Sequence, residues 1–552
     1  MIWKGIKLAM NVRNVMYIFN DVILGGAGHS LIDTITKIKD CVNPIIVIRD
    51  DAEVEDQFMA LNIQYYKLHF TTDFVEIGNR NKNMEKQNFI SDYEAAVQLL
   101  QIIEEEKVQL IHINSSVSNI GAMAALMAHI PYVWHIRELM EEQFGCEFLN
   151  EELKCNLYAR AYKLISISDY VKQKYLERYH IHTLRIYDGL SVEKYKLKVT
   201  KDTDYQNVFL VVAMISHEKG QWDAICATEI LIKAGYSDVQ LIVVGDGNDG
   251  YIWALKKYIS MKKLDRNIFI LPYQNDLSKL NKKASYAITC SQNEALGRVT
   301  IEAMLAGNVV IGARSGGTVE IIGENEERGF LYELHNSKDL ANTMIRAMNC
   351  PKEIKNQMIE SAQIYAEKAF DAMRYCKTLI EVYNEAISSF EADNKDVFLN
   401  ELKKYYIELK NEKLCEKQSA INTQYLKLET AFSLAIKWLE IKQKGYNLSE
   451  YFRKNDIQTI AIYGMSYLGC RLYDELENGD IEVRYLLDRK PNKMDSILEF
   501  GSLDGEKLLI DAIVVTVALT EKQVINEIKQ KGYQKVVGLS EVLDSFMIPP
   551  YN

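Results

Sequence analysis

The sequence lacks the features that indicate metal-binding sites, disulfide-linked folds or membrane-spanning segments. Its nine cysteines include no C-x-x-C pair, so the sequence predicts neither a zinc site nor a disulfide framework and favours a reducing cytoplasm. No run approaches the ~20 apolar residues that cross a bilayer, and the first stretch, MIWKGIKLAMNVRN, lacks the apolar segment of a signal peptide. Any membrane contact is therefore expected to be peripheral.

Basic residues are also in the minority. The 552 residues include 65 Lys and Arg against 76 Asp and Glu, a net charge of −11, which argues against nucleic acid as a partner. A local basic patch facing anionic lipid stays open. With 48% hydrophobic and 26% charged residues and only seven prolines, the composition is that of a soluble globular protein. The length predicts roughly three domains.

Apolar, β-rich runs alternate with helical patterns in three parts of the chain, beginning with VMYIF, VFLVVAMIS and TIAIYG. This alternation is typical of parallel, doubly wound sheets. We predict an α/β fold with Rossmann-like domains over residues 1–200 and 201–390, the second closed by helices. Residues 391–455 are predicted to form a helical linker, and residues 456–552 a third, small Rossmann-like α/β domain.

The linker carries two apolar stripes at helical spacing. The first consists of Phe398, Leu402, Tyr405, Tyr406 and Leu409, and the second of Tyr425, Leu428, Phe432, Ala435 and Leu439. Two heptads are too few to establish a coiled coil. Packing against the chain's own domains is the favoured interpretation, and a homo-oligomer formed through the 397–445 helices is the alternative.

Glycines mark the points where ligands bind in such sheets, beyond the carboxyl ends of the strands. Gly25 and Gly26 follow the first strand, Lys219 and Gly220 follow the first strand of the second domain, and the pair Gly316–Gly317 forms a later turn. A lysine at a helix N-terminus opposes the helix dipole, which suggests an anionic ligand shared by both. Each turn taken alone is more often structural.

The stretch CSQNEALGRVTIEAMLAG places Glu294 in a strand-to-helix turn and Glu302 inside the helix that follows. One interpretation is an ordinary i, i+4 ion pair between Arg298 and Glu302. The other is a binding site for hydroxyl groups, because carboxylates accept paired hydroxyl donors. The surrounding sequence must decide between them.

Several stretches together resemble the retaining GT-B glycosyltransferases, and specifically the large family 4 with its many bacterial capsule and lipopolysaccharide transferases. They are GGAGHSL, PYVWHIREL, LISISDYV, IYDGLSVEKY, ISHEKGQWDA, VVGDG, and EALGRVTIEAMLAG followed by SGGTVEII, and they cover residues 13 to about 385. The resemblance implies a GT-B arrangement of the first two domains, with the third appended.

The resemblance also assigns roles. Glu294 would contact hydroxyls of the donor sugar, Glu302 the ribose of the nucleotide, and Lys219 the charge that builds on the departing diphosphate. Backbone amides facing the diphosphate would come from Gly25 and Gly26 in the first domain and from Ala295, Leu296 and Gly297 in the second.

Further assignments rest on single positions. His135 in WHIRE matches the family histidine near the reacting sugar, while Arg137 and Glu138 are expected to form a structural pair. Where many family members carry an arginine five residues before the lysine, this chain has Met214. Arg298 is a candidate for supplying that missing charge.

The implied reaction is the transfer of a sugar from a nucleotide-sugar donor, a UDP-sugar by preference, to a hydroxyl of a glycan or lipid-linked acceptor with retention at the anomeric carbon. A front-face mechanism needs charge stabilisation rather than an enzymatic nucleophile. The one literal D-x-D, Asp202–Asp204, lies in the presumed linker between the first two domains. We therefore predict no metal and no cofactor beyond the donor.

The third domain contains a weaker motif, G-x-S-x-x-G. Gly464 and Gly469 follow a strand, and Asp488 ends the next strand, which approximates a dinucleotide fingerprint. Ser466 replaces the glycine that lets the backbone approach a pyrophosphate. A structural or regulatory module is preferred here, then nucleotide binding.

Two other functions fit the same pattern of domains. A nucleotide-sugar epimerase shares the GT-B architecture, although His135, Lys219 and the two glutamates argue against it. A non-catalytic, nucleotide-binding partner subunit of a transferase is favoured only by Met214. Product formation that depends on an acceptor separates these alternatives from a transferase.

Overall fold

The computed structural model describes residues 13–22, 24–196, 207–391, 397–488, 503 and 508–547. The acidic pair Asp202–Asp204 lies outside these residues. The chain divides into two compact units, one reaching to Leu409 and the other beginning at Lys410.

The first domain of the first unit is built on a seven-stranded parallel sheet in the order β3-β2-β1-β5-β6-β8-β9, with a small antiparallel pair, β4 and β7. The strands are β1 Arg13–Phe19, β2 Val42–Arg49, β3 Gln64–Leu68, β4 Phe74–Glu76, β5 Leu110–Ile113, β6 Tyr132–Ile136, β7 Cys146–Phe148, β8 Lys163–Ser166 and β9 Leu184–Arg185. The helices are α1 Gly26–Ile38, α2 Glu55–Ala60, α3 Lys82–Glu105, α4 Ile120–Ala128, α5 Met140–Phe144, α6 Glu151–Arg160, α7 Asp169–Tyr179 and α8 Val192–Tyr195.

Both faces of this sheet are buried, which explains why its strands are continuous apolar runs. On β1, Met16 and Ile18 belong to one core cluster, while Val15, Tyr17 and Phe19 belong to another on the opposite face. Successive side chains of a strand point to opposite faces, so an apolar residue is needed at every position.

The second domain has a six-stranded parallel sheet in the order β12-β11-β10-β13-β14-β15. Its strands are β10 Val208–Val212, β11 Gln240–Val244, β12 Ile268–Leu271, β13 Tyr286–Thr289, β14 Val309–Ala313 and β15 Phe330–Tyr332. Its helices are α9 Gln221–Lys233, α10 Asp249–Met261, α11 Ser278–Lys283, α12 Arg298–Leu305, α13 Gly317–Ile322, α14 Ser337–Asn349, α15 Lys352–Ala369 and α16 Ala372–Ser389. The prediction of two Rossmann-like domains is confirmed.

The last of these helices, α16, returns to the first domain. Tyr375, Cys376, Leu379 and Tyr383 share a core cluster with β1 residues, and the Tyr383 hydroxyl lies 2.5 Å from Nδ1 of His112 on β5. The end of the predicted second domain therefore packs against the first sheet.

A single 47-residue helix, α17 Val397–Gln443, replaces the separate helical patterns expected of the linker. Its first stripe packs as predicted: Phe398, Leu402 and Leu409 are buried in the core of the first unit, and Tyr406 stacks on Tyr93 with a ring separation of 4.2 Å. The second stripe does not pack in this way. Tyr425, Leu428, Phe432 and Leu439 are 58–69% exposed, so the favoured interpretation is wrong for them.

The second unit carries a four-stranded parallel sheet in the order β17-β16-β18-β19. Its further elements are α18 Ser449–Lys454, β16 Thr459–Tyr463, α19 Tyr467–Leu476, β17 Glu482–Leu487, β18 Ala512–Val515, α20 Glu521–Gln530, β19 Val536–Gly538 and α21 Leu539–Asp544. Leu434, Trp438 and Ile441 of α17 join its core. Across the described parts of the chain, no helix combines the length and apolar character of a bilayer span.

Candidate active site

The candidate site lies where the strand order reverses. In the first sheet β1 lies between β2 and β5, and in the second β10 lies between β11 and β13. The connections therefore leave the first strand in opposite directions, and a crevice forms between the loops that follow these strands. The reversal falls between β1 and β5 in the first domain and between β10 and β13 in the second. The loop after β10 carries Lys219, and the loop after β13 carries Glu294.

The structure brings these two residues into direct contact. Nζ of Lys219 lies 2.5 Å from Oε1 of Glu294, and their side chains are 27% and 14% exposed. Lys219 ends a single 3₁₀ turn, His217–Lys219, followed by Gly220 at φ +65°. A Cβ at Gly220 would lie 2.4 Å from the carbonyl oxygen of Cys290. The close approach of the two loops therefore requires this glycine.

A second glycine supports the glutamate from the other side. Gly316 has φ +59° and ψ −149°, and a Cβ on it would lie 2.4 Å from the carbonyl oxygen of Glu294. That oxygen accepts a 2.7 Å hydrogen bond from the amide of Gly317. The glycine pair seen in the sequence thus holds the backbone of the glutamate loop.

The other predicted carboxylate, Glu302, is paired with Arg298, as one interpretation of the sequence required. The Nε–Oε1 distance is 3.1 Å, and the Arg298 Nη2 also lies 2.9 Å from Oδ2 of Asp33 in the first domain. Burial raises the pKa of Glu302, and Arg298 opposes this shift. Arg298 therefore has two carboxylate partners and links the two domains, and its role as the extra cation stays a prediction.

In the first domain the glycine turn already holds a carboxylate. The amides of Gly25 and Gly28 both donate to Oδ2 of Asp21 at 3.0 Å, so the amide of Gly25, predicted for a diphosphate, is engaged. Burial raises the pKa of Asp21. Gly26 at the start of α1 has open space around its Cβ direction. The turn is therefore built to hold an anion, and sequence reasoning missed Asp21 as its occupant.

A second residue missed by the sequence is His29, on the exposed side of α1. Burial lowers the pKa of His29, and Arg298 and Lys194 lower it further. Asp33 and Asp21 act in the opposite direction and raise this pKa, so the imidazole responds to charges from both domains. The signal was present in GGAGHSL, where the histidine follows the glycine turn directly.

His135 lies on β6, inside the first domain. Its side chain is completely buried, its ring lies 5.6 Å from that of His112 and 6.4 Å from that of Tyr375, and its Nδ1 is 3.3 Å from Nη2 of Arg137. Burial, followed by the charge of Arg137, lowers its pKa. Its Nε2 lies 4.0 Å from Oδ1 of Asp188, so both ring nitrogens face charged residues, and the role of His135 near the reacting sugar stays a prediction.

The expected pair of Arg137 and Glu138 is wrong. Arg137, the first residue after β6, pairs with Asp188 at 2.5 Å and donates from Nε to Oδ1 of Asn114 at 3.0 Å. Glu138 accepts instead from Ser115 and from the amide of Ser116. Arg137 is thus a buried charged group at the carboxyl edge of the first sheet, paired with Asp188 and not with Glu138.

Polar contacts join the two domains around the crevice. The Ser168 hydroxyl donates to the carbonyl oxygen of Ala295 at 2.5 Å. Glu320 on α13 accepts from the amides of Asp169 and Tyr170 at 3.1 and 3.2 Å, so it caps helix α7 of the other domain. Ala295 and Leu296 are both 4% exposed, and Gly297, at φ +91°, precedes α12.

The third domain repeats the arrangement on a smaller scale. Its strand order reverses between β16 and β18, and the motif glycines meet there: a Cβ on Gly469 would lie 2.2 Å from the carbonyl oxygen of Gly464. Asp488 Oδ2 accepts from the amide of Met465 at 3.1 Å. The three predicted residues are therefore together, and the aspartate engages the amide of Met465, the residue after Gly464.

Comparisons with known proteins agree with this geometry. Residues 193–365 match the family model "Glycosyl transferases group 1", and residues 60–193 match "Glycosyltransferase Family 4". The D-inositol 3-phosphate glycosyltransferase of Saccharomonospora viridis is 29% identical over 22% of this chain. The UDP-Gal:alpha-D-GlcNAc-diphosphoundecaprenol alpha-1,3-galactosyltransferase of Escherichia coli is 22% identical over 54% of this chain and 81% of its own length.

Coverage of the relatives is uneven. The chain spans 28%, 65% and 60% of the length of the first three curated relatives that it matches, which include the spore coat protein SA of Bacillus subtilis. Among solved structures, Anabaena HepE in complex with UDP superimposes with a TM-score of 0.57 at 20% identity, covering 68% of this chain and all of HepE. A glycosyltransferase from Rickettsia africae superimposes with a TM-score of 0.55 at 18% identity, covering 69% of this chain and all of that chain.

The solved structures share the fold at low identity, and the two family models meet at residue 193, between the two domains. Residues 60–365 therefore resemble the group 1 and family 4 glycosyltransferases in sequence, and the solved structures resemble this part of the chain in fold.

Proposed function

We propose that this protein is a retaining glycosyltransferase that moves a sugar from a UDP-sugar to a hydroxyl of a glycan or lipid-linked acceptor, in the synthesis of a surface polysaccharide such as a capsule. The observation that carries the proposal is the contact between Lys219 and Glu294 at the strand reversal of the second domain. HepE, which shares the fold, was solved with UDP and with UDP-glucose. The E. coli relative is named for a UDP-galactose donor and a lipid diphosphate acceptor.

The ion pair suggests how a donor is held. Lys219 and Glu294 neutralise each other at 2.5 Å, and a nucleotide sugar offers a partner to each: an anionic diphosphate for the lysine and sugar hydroxyls for the carboxylate. Binding exchanges one ion pair for two charge-assisted contacts. As the bond from sugar to phosphate breaks, negative charge grows on the leaving diphosphate, and Lys219 stabilises it.

Glu302 is proposed to bind the nucleotide ribose. Arg298 holds one of its oxygens and is itself fixed by Asp33, so the orientation of the carboxylate depends on both domains being in place. Closure of the domains over the donor also excludes water, which protects a reactive glycosyl group from hydrolysis. No metal is required in this scheme, because a lysine supplies the positive charge.

Thermal-shift measurements with UDP, GDP, ADP and dTDP in EDTA test donor binding. A ligand that binds the native state raises its apparent stability, so we expect UDP to raise Tm. Glu302→Ala should abolish the shift, whereas Glu360→Ala, an exposed glutamate on α15, should retain it. A UDP shift that survives Glu302→Ala contradicts the ribose assignment.

Turnover is tested separately with acceptor extracts and labelled UDP-sugars. Lys219→Ala should lower kcat by a factor of about 10²–10³, the usual cost of removing one transition-state charge contact. Anomeric retention is read by NMR of the product. UDP binding without any acceptor-dependent product would identify the chain as a non-catalytic subunit and overturn the proposal.

The lipid-linked acceptor implies contact with a membrane surface, and α10 offers a suitable face. Trp253 and Met261 are 62% and 71% exposed, Lys256 and Lys257 are exposed on the same helix, and Lys262, Lys263 and Arg266 are exposed in the turns that follow it. Aromatic and basic side chains on one helix are typical of interfacial binding to anionic lipid. The nine free cysteines fit the cytoplasmic side of that membrane.

Flotation with phosphatidylglycerol vesicles tests this contact. The chain should float with them at low salt and remain behind with phosphatidylcholine vesicles, and the double substitution Lys256→Glu/Lys257→Glu should abolish flotation. Lys352→Glu/Lys377→Glu makes the same change in net charge on α15 and α16 and should float like the wild type. Equal loss in both variants would show a general charge effect instead of a binding face.

For the third domain we propose nucleotide binding at Gly464, Gly469 and Asp488 as a secondary site. It requires Asp488 to release the amide of Met465. Thermal shift with NAD and NADP on the full chain tests it, because Gly469→Val should remove a shift that Glu302→Ala leaves intact. The absence of any shift would leave a structural module.

A further inference from the structure

Part of helix α17 stands in solvent on all sides. Every residue from 411 to 429 is exposed. Short helices are marginal in water on their own, and in proteins most of their stability comes from packing an apolar face. Within the described parts of the chain, residues 411–429 bury no apolar face, so packing such a face would add to the stability of this segment.

The exposed segment carries a regular apolar seam. Leu414, Ile421, Tyr425, Leu428, Phe432 and Leu439 are between 50% and 69% exposed. Their spacings of 7, 4, 3, 4 and 7 place them all at a and d positions of one heptad register. The stripe found in the sequence began at Tyr425, and the exposed residues Leu414 and Ile421 extend it towards the start of the helix. The seam then covers enough heptads for a coiled coil.

The seam is accessible while the second unit is folded. Leu434, Trp438 and Ile441, which pack into the core of that unit, are 6%, 8% and 0% exposed. In the same turns, Phe432 and Leu439 are 69% and 58% exposed. Ala435, the d residue between Phe432 and Leu439, is half-buried against the same core, so the seam is open on both a and d positions from Leu414 to Phe432 and on the a position alone at Leu439.

We propose that residues 411–439 pair with the same segment of a second copy as a parallel two-stranded coiled coil. A seam of period 3.5 is matched by a helix of the same period, and an identical chain supplies one. In the parallel, in-register arrangement, polar residues Asn411 and Gln418 at a positions meet their own counterparts, a device that sets register.

The flanking positions are compatible with that arrangement. Residues at g face residues at e five positions later on the partner helix, which places Lys417 opposite Asn422 and Gln424 opposite Glu429. Neither pair brings like charges together. The next g residue, Ala431, is half-buried against the core of the second unit, so the g–e contacts end before Phe432.

Sedimentation of the full-length protein tests the dimer. The molar mass measured for the wild type should be twice the 63.5 kDa of one chain. Ile421→Glu/Leu428→Glu puts carboxylates at two d positions and should weaken association by roughly 100-fold or more. The matched control, Ser419→Glu/Thr423→Glu, adds the same charges to the same helix away from the seam and should remain dimeric. UDP binding measured on all variants checks that they are folded.

Disulfide crosslinking tests orientation. In a Cys415→Ser background, Leu428→Cys should crosslink to its own counterpart on oxidation, because d residues meet across a parallel pair, while Ala420→Cys should not. A wild-type monomer at micromolar concentration, or a dimer that the seam variant leaves intact, would overturn the inference. A dimer that fails to crosslink through Leu428→Cys would overturn the parallel register.

Discussion

Buried histidines should make the first unit sensitive to acid, and His112 allows the effect to be calculated. Its side chain is completely buried in the central strand β5, and burial, followed by the charge of Arg137, lowers its pKa to about 3. In the unfolded chain a histidine titrates near 6.5. Between about pH 6.5 and about pH 3, His112 is therefore protonated in the unfolded chain and neutral in the folded one.

The sign and size follow from proton linkage. Because the folded pKa is depressed, stability is fully present above the unfolded pKa and is lost as the pH falls below it. At about 1.4 kcal/mol per pKa unit, His112 alone costs about 2 kcal/mol between pH 7 and pH 5. Other groups oppose this trend: burial raises the pKa of Asp92 to about 8, which favours folding in acid. The wild-type slope is therefore a sum of terms.

A comparison with His112→Gln isolates the histidine. Urea unfolding of both proteins at pH 7 and pH 5, followed by the fluorescence of Trp134, which is completely buried in the same sheet, gives the difference in unfolding free energy. The wild type should lose about 2 kcal/mol more than the variant between the two pH values. His182→Gln, at an exposed position, should behave as the wild type. An equal loss in all three proteins would refute the reasoning.

Three further substitutions test contacts of the first unit. Gly316→Ala forces a side chain into a backbone conformation at φ +59° with no space for it, so it should lower stability by at least about 1–3 kcal/mol and lower UDP affinity, measured by thermal shift. Lys154→Met leaves the buried carboxylate of Asp73, 3.2 Å from the lysine, without its cation and should cost about 3–5 kcal/mol in urea unfolding; adding Asp73→Asn should restore most of it. Asp33→Asn removes one partly exposed partner of Arg298 and should change stability by less than about 1 kcal/mol. It should still weaken UDP binding, because Arg298 is then paired with Glu302 alone and no longer holds that ribose-binding carboxylate in place; unchanged UDP affinity would contradict this.

Local patterns were enough to predict the strands of both large sheets and to indicate where a ligand site is expected. Continuous apolar runs alternating with helical spacing identified the strands of both large sheets, because a parallel sheet buries both faces of every strand. The glycines beside Lys219 and Glu294 marked the ends of those strands, where ligands bind. The meeting of Lys219 and Glu294 follows from the strand order, since neighbouring parallel strands end at the same edge.

What the tertiary structure alone decided is which groups meet and which surfaces stay open. Asp21 and Asp33 were ordinary acidic residues in the sequence, and only the folded chain shows them at the glycine turn and on Arg298. His135 and Arg137 differ by two positions, yet one is inside the strand and the other beyond its end. The apolar stripes of helix α17 have the same period, but one is buried and the other exposed. Periodicity is a property of a few neighbouring residues, whereas burial and charge pairing depend on segments hundreds of residues apart.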